Sequence, residues 1–170
     1  MCSSMKRTKA VAVSGVKNSG KTTLVEKLVA CLTAKGLKVA VVKHDGHRFE
    51  ADRPDTDTFR HLAAGAMGTA VFDGEKFQVV KYAPVEEEAL MALFPEADLI
   101  LLEGFKHSRW PKIEVVREGI SDQSVCDPDT LLAVASDLPL SLPGVPLFGL
   151  EDVEGLSHVI LDHCFGGERS

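Results

Sequence analysis

The stretch GVKNSGKTTLVEKL, Gly15 to Leu28, constrains this chain more than any other. Gly15, Gly20, Lys21 and Thr22 fit the spacing G-x-x-x-x-G-K-[ST] of a phosphate loop. The context is the one that motif requires. Ala10 to Ser14 is a short apolar run, a buried parallel strand by type. From Thr22 to Lys35 the pattern is helical, with Leu24, Val25, Leu28, Cys31 and Leu32 on one face and Glu26, Lys27 and Lys35 on the other. Gly36 stops that helix just past its end. Gly15 lets the backbone turn back sharply, and Gly20 lets it approach an oxygen closely. Successive N–H groups from Gly15 through Asn18, Ser19 and Gly20 then form a nest for phosphates at the positive end of the helix. Lys21 is expected to reach the β- and γ-phosphates, Thr22 to offer its hydroxyl to Mg²⁺, and Thr23 to support the α-phosphate. Some dimeric ATPases carry a lysine directly after the first glycine. Here Val16 stands there, and Lys17, one place later, either touches phosphate or faces solvent.

The rest of the chain alternates strand and helix patterns. Lys38 to Lys43 reads as a second strand, followed by a polar stretch from His44 to Pro54. A helix starting at Asp55 or Thr56 runs through about Ala64. Gly68 to Tyr82 reads as a hairpin around Asp73-Gly74, a strong turn signal. Pro84 to Leu93 is predicted as an acidic helix. The segment DLILLEG is another buried strand. Lys112 to Arg117, Leu131 to Ser136 and Val145 to Leu150 are further strands, the first with mixed faces. Asp152 is placed to cap a final helix through about Phe165. This order predicts an α/β chain with the three-layer P-loop NTPase fold, a mostly parallel sheet with an added β-hairpin. The hairpin and Lys112 to Arg117 are expected to join that sheet as antiparallel pieces. The 170 residues suit a single nucleotide-binding domain over 1–170.

Composition narrows the class by exclusion. With 45% hydrophobic and 26% charged residues the chain reads as ordinary soluble protein. Its formal charge of −6 carries no nucleic-acid footprint, which would be basic and clustered. The basic cluster Lys6, Arg7 and Lys9 reads as a solubilising leader. No window holds the ~20 apolar residues of a membrane span. The apolar run Ala10 to Val13 is too short for a signal peptide and passes straight into the phosphate loop. Cys2, Cys31, Cys126 and Cys164 lack C-x-x-C spacing, so they read as free thiols in a reducing cytoplasm.

A phosphate loop alone only binds; hydrolysis needs a Mg²⁺ clamp and a means to position water. Asp45 and Glu103 both follow or end predicted strands, where α/β sheets put their ligands. Asp98 begins the strand that Glu103 ends, roughly 16 Å away along it, so Glu103 is the better metal-side carboxylate. Gly104 next to it allows close approach. In KHDGHRFEAD, His44, Asp45, His47 and Asp52 are ligand types, but no further His or Cys lies nearby. That segment reads either as a transition-metal site or as a nucleotide- or partner-responsive loop. Asp137, after the strand Leu131 to Ser136, is either a guanine acceptor for N1–H and N2–H or a turn residue before Leu138-Pro139.

Several blocks together resemble the MobB family of molybdopterin-guanine dinucleotide biosynthesis adapters. They are GVKNSGKTTLVEKL, then VVKHDGH with DRPDTDTFRHLAAGA, then DLILLEGFK with PKIEVVR. The last two are far more specific than the phosphate loop. The resemblance spans about Lys9 to Phe165 and implies a GTP-binding homodimer of prokaryotic cytoplasm. Such a protein helps a separate guanylyltransferase attach GMP to molybdopterin, with feeble GTP hydrolysis of its own. Carried over by position, Gly15 to Thr23 hold phosphates, and Asp45 and Glu103 face the Mg²⁺ and γ-phosphate region. Lys106, Lys112 and Arg117 fall in a matching block without an assigned role. Asp55 departs from the pattern, which usually has Gly there.

Two other classes compete. A small-molecule kinase closes an Arg-rich lid over its phosphates, whereas Arg48, Arg53, Arg60, Arg109 and Arg117 are spread along the chain. A metal-insertion GTPase is prompted by His44 and His47. No glutamine or arginine finger stands out to order attacking water, so turnover is expected to be slow.

Overall fold

The computed structural model describes residues 9–46 and 53–166. The chain divides into two compact units: Met1–His44 together with Glu87–Ser170, and Asp45–Glu86.

The first unit is built on a six-stranded sheet in the order β2-β5-β1-β6-β7-β8. The strands are β1 (Lys9–Gly15), β2 (Val39–Lys43), β5 (Leu99–Glu103), β6 (Lys112–Val116), β7 (Leu131–Ser136) and the short β8 (Leu147–Phe148). Every pairing is parallel. Parallel central strands are buried on both faces, which is why β1 and β5 read as continuous apolar runs. Side chains still alternate. Val11, Val13, Leu99 and Leu101 belong to one core with Leu24, Val25, Leu28 and Leu32 of α1 (Lys21–Ala34) and Leu156 and Ile160 of α4 (Val153–Phe165). Ala10, Ala12, Ile100 and Leu102 face the opposite way, towards Val42, Met91 and Trp110. The layers are therefore helix, sheet and a thinner second cover, the predicted mostly parallel architecture.

Registers bring the functional ends together. Val13 and Lys43 both lie opposite Glu103, and Gly15 lies opposite Val115. The strand that launches the phosphate loop thus has β5 on one side and β6 on the other.

α4 starts where expected, with the Asp152 carboxylate accepting from Gly155 N–H at 3.0 Å. α3 (Glu87–Met91) is shorter than the predicted Pro84 to Leu93. It closes through i→i+3 bonds, Leu93 N–H to Leu90 O and Phe94 N–H to Met91 O, which tighten the last turn and end the helix.

The second unit holds α2 (Asp57–Ala63), β3 (Gly68–Phe72) and β4 (Phe77–Lys81). Thr56 caps α2, its hydroxyl accepting from Phe59 N–H at 3.2 Å. Asp55, just before the cap, has φ 73, a left-handed conformation that glycine adopts freely. In the hairpin, the Asp73 carboxylate accepts from Glu75 N–H at 2.8 Å and Lys76 N–H at 2.9 Å, which shapes the turn.

Two expectations about the sheet fail. The hairpin forms a two-stranded sheet of its own and adds no strand to the main one. β6 is a central parallel strand, not an antiparallel piece with mixed faces: Lys112 is 0% and Glu114 1% exposed. Their burial works because each finds partners. Lys112 Nζ donates to Ser108 O at 2.6 Å. The Glu114 carboxylate accepts from Val125 N–H at 2.7 Å and from the Ser124 hydroxyl. Buried polar groups with such partners escape most of the desolvation cost.

Candidate functional site

The phosphate loop runs from Gly15 to the first turn of α1, and its glycines are required by geometry. Gly15 has φ +145, and a Cβ there would stand 2.5 Å from Val115 O and 2.8 Å from Ser19 Oγ. Gly20 has φ +99 and caps α1 without any side-chain bond to the helix N–H groups. Asn18 takes φ 63, which asparagine tolerates better than most residues. The N–H groups of the first helical turn have no intrahelical acceptor, and the helix dipole adds positive potential there.

Ser19 supplies a further sign of a ligand. It is 1% exposed, and among the described residues its Oγ is the buried side-chain polar atom without a hydrogen-bond partner. Such an orphan is rare because it costs about 1–3 kcal/mol, and it needs a cause.

On the β5 side, the Thr22 hydroxyl donates to Glu103 Oε1 at 2.7 Å. Lys43 Nζ stands 3.4 Å from the same oxygen. Glu103 itself is buried at 6% exposure. The strand end is pinned by the Ser14 hydroxyl donating to Gly104 O at 2.5 Å and by Gly104 N–H donating to Val13 O at 3.0 Å. Gly104 has φ +104, and a Cβ there would meet His44 O at 2.8 Å, so β2 and β5 can close at this point. Lys21 Nζ donates to Val16 O at 2.5 Å, folded back over its own loop. Burial pushes the Lys21 ammonium below its usual range. Glu103 opposes that shift, while Lys106 and Lys43 add to it. A carboxylate and a hydroxyl converging beside a nest of N–H groups form a hard oxygen donor set, which suits Mg²⁺ and a phosphate oxygen. The residues present therefore fit a magnesium-bound nucleotide.

On the β6 side, a cleft is lined by Ser19, Gly20, Thr23, Lys27, Arg117 and Glu151, with apolar groups beneath. Arg117 Nη1 lies 3.3 Å from where a Gly20 Cβ would be. Glu151 and Lys27 form an ion pair across the rim. Arg117 had no role assigned from sequence; its only signal there was membership of the PKIEVVR block.

The remaining expected residues fall as follows. Lys17 is exposed. Asp137 is exposed at the end of β7, and its Oδ1 accepts from Glu118 N–H at 2.8 Å. Asp45 is exposed and opens the second unit, so it belongs to a different unit from Thr22 and Glu103. The His44 ring lies 5.5 Å from that of Phe105. His47 and Asp52 lie outside the described residues.

Comparisons with known proteins agree on one family. The model of MobB, molybdopterin guanine dinucleotide synthesis protein B, matches residues 10–137. The molybdopterin-guanine dinucleotide biosynthesis adapter protein of Escherichia coli is 35% identical over 161 residues, covering 89% of this chain and 91% of its own. That of Haemophilus influenzae is 32% identical over 136 residues, covering 78% and 76%. The crystal structure of Bacillus subtilis MobB superposes with a TM-score of 0.72 at 28% identity, covering 91% of this chain and 96% of that one.

Proposed function

Since the chain belongs to the molybdopterin guanine dinucleotide synthesis protein B family, we propose that it is a GTP-binding adapter for attaching GMP to molybdopterin. Its partner in this reading is a guanylyltransferase, which performs the transfer while the adapter binds GTP and hydrolyses it slowly. The whole of 1–170 acts as one phosphate-loop nucleotide-binding domain, working in the cytoplasm.

The observation that carries the reading is the Thr22–Glu103 hydrogen bond across the mouth of a loop shaped by Gly15 and Gly20. Thr22 and Glu103 would hold Mg²⁺. When bound, the ion neutralises charge on the β- and γ-phosphate oxygens. Gly15, Asn18, Ser19, Gly20 and Thr23 line the nest, and Lys21 leaves the Val16 carbonyl to meet the phosphates. Asp137 is the candidate acceptor for guanine N1–H, its Oδ1 already oriented by Glu118. Homodimerisation fits the hairpin, where Phe72 and Phe77 face each other across the strands at 81% and 71% exposure.

The test is calorimetric titration with GTP and ATP in Mg²⁺. Preferential GTP binding that is abolished in Lys21→Ala supports the reading. Binding of ATP with indifference to GTP overturns the guanine assignment, and unchanged affinity in Lys21→Ala overturns the loop assignment. In the cell, a deletion strain with a limiting guanylyltransferase should lose molybdoenzyme activity; unaltered activity would sink the adapter role.

A further inference from the structure

The two sides of the phosphate loop differ in character. Towards β5 stand Glu103, Lys43, Lys21 and the Thr22 hydroxyl, the groups suited to a metal and to the terminal phosphates. β1 has only one other neighbour, β6. A nucleotide with its terminal phosphates on the β5 side must therefore run its α-phosphate and nucleoside towards β6.

That is where Arg117 stands. It follows the last residue of β6 and is exposed, so its guanidinium is available to a ligand in the cleft. Nη1 sits 3.3 Å from the missing Gly20 Cβ, level with the loop backbone and not out at the strand tips beyond it. Any side chain at Gly20 would crowd it. Glycine is required at position 20 by its left-handed turn, and Arg117 lies close enough to share its space. Ser19, whose buried Oγ lacks a hydrogen-bond partner, is among the residues lining the same cleft, an observation independent of the arginine.

The backbone that carries Arg117 is held firmly. Its carbonyl accepts from Ile120 N–H at 3.0 Å and Ser121 N–H at 2.9 Å. The next residue donates its N–H to Asp137, and the returning loop is tied to buried Glu114 through Val125 N–H. The one carboxylate on the cleft rim, Glu151, is already paired with Lys27. Arg117 also acts on Glu151 electrostatically, helping Lys27 hold that carboxyl below its usual range, so the rim carries two cations against one carboxylate.

We infer that Arg117 is a nucleotide-binding residue of this site, its guanidinium gripping the phosphate nearest the ribose. Guanidinium matches phosphate through parallel N–H···O bonds, and a fixed backbone lowers the cost of ordering it. The inference rests on the nucleotide-binding reading above and adds a charged group beside Thr23 at the ribose-proximal phosphate.

The test is calorimetry with GTP and with GDP, in Mg²⁺, on the wild-type protein, Arg117→Ala and Arg117→Lys. Both nucleotides carry the ribose-proximal phosphate. Arg117→Ala should weaken both by the same factor, roughly ten- to a hundredfold, with the melting temperature of the free protein unchanged. Arg117→Lys should recover part of the loss, because it keeps the charge and loses the fork. Equal affinities in wild type and Arg117→Ala overturn the inference and leave nucleotide binding standing. Loss of GTP with GDP retained overturns it too, by moving the contact to the terminal phosphate. Failure of the wild-type protein to bind either nucleotide removes both readings.

Discussion

At the scale of single residues, the site is a set of positions where one atom decides what is allowed. Gly15→Ala would press a methyl group to 2.5 Å from Val115 O at a φ of +145. The expected cost is about 2–4 kcal/mol of stability, seen as a lower urea midpoint, with nucleotide binding lost as well. A variant of wild-type stability would mean that the loop yields around the added methyl group. Asp55 is the opposite case. It occupies a left-handed conformation in which a Cβ is a burden. Asp55→Gly should stabilise the chain by up to about 1 kcal/mol, partly offset by the entropy of glycine in the unfolded state. A fall in the urea midpoint would show that the Asp55 side chain compensates for its backbone. Two thiols, buried Cys126 and half-buried Cys164, give a pH signature. Burial pushes Cys126 up to about 12, with Glu114 adding to the shift, and burial pushes Cys164 up to about 11. Both start from an ordinary value of 9.0. The folded chain keeps these protons where the unfolded chain loses them. Their contribution to stability is therefore complete below pH 9.0 and is lost as pH rises through about 11 to 12. At pH 8, native Cys126 should resist alkylation that labels it readily in the denatured chain. Mass spectrometry of the labelled peptides checks this, and rapid labelling of native Cys126 would contradict it.

At the scale of elements, β6 shows most clearly what local pattern can and cannot announce. The phosphate loop and Glu103 were legible because strand, turn glycine and helix face are local features, and the charged residue ends its strand. Lys112 and Glu114 were not, because alternation along KIEVV gives the same pattern for a solvent face and for a polar buried face. What decides is the loop from Glu118 to Asp127, which folds back and supplies Ser124 and Val125 to Glu114. The same blindness hid Arg117, whose meaning depends on β6 lying beside β1. Expecting the hairpin in the main sheet failed for a related reason: a turn signal specifies a partner within the hairpin and nothing about a second one. The β6 arrangement makes a prediction of its own. Glu114→Ala leaves Val125 N–H and the Ser124 hydroxyl without their acceptor, and should cost about 2–3 kcal/mol. Glu114→Gln keeps one acceptor oxygen and should cost less. Urea denaturation of the two variants tests the order; equal and negligible losses would mean the loop has other anchors.

At the scale of the whole molecule, the hairpin presents an apolar surface that a single chain does not need. Phe72, Phe77 and Val79 are exposed on one face of the hairpin and Val71 on the other, and among the described residues its two strands pair only with each other. Such surfaces are rare on stable monomers. Phe72→Glu combined with Phe77→Glu should convert a dimer to a monomer in light scattering, with the melting temperature of the first unit preserved. A dimer that survives both substitutions would place its interface elsewhere. The parallel sheet has a different consequence, one of timing. β1 precedes the other described strands in the chain, yet its two neighbours are β5 and β6. The hydroxyl of Ser14 finds Gly104 ninety positions later. Contacts this distant in sequence form slowly. A nascent chain thus carries the phosphate-loop motif long before it carries a phosphate site, and a fragment ending at Asp98 should bind no GTP. In the nucleotide-binding reading, the loop becomes a site only once β6 has been made, while β7, β8 and α4 are still to follow.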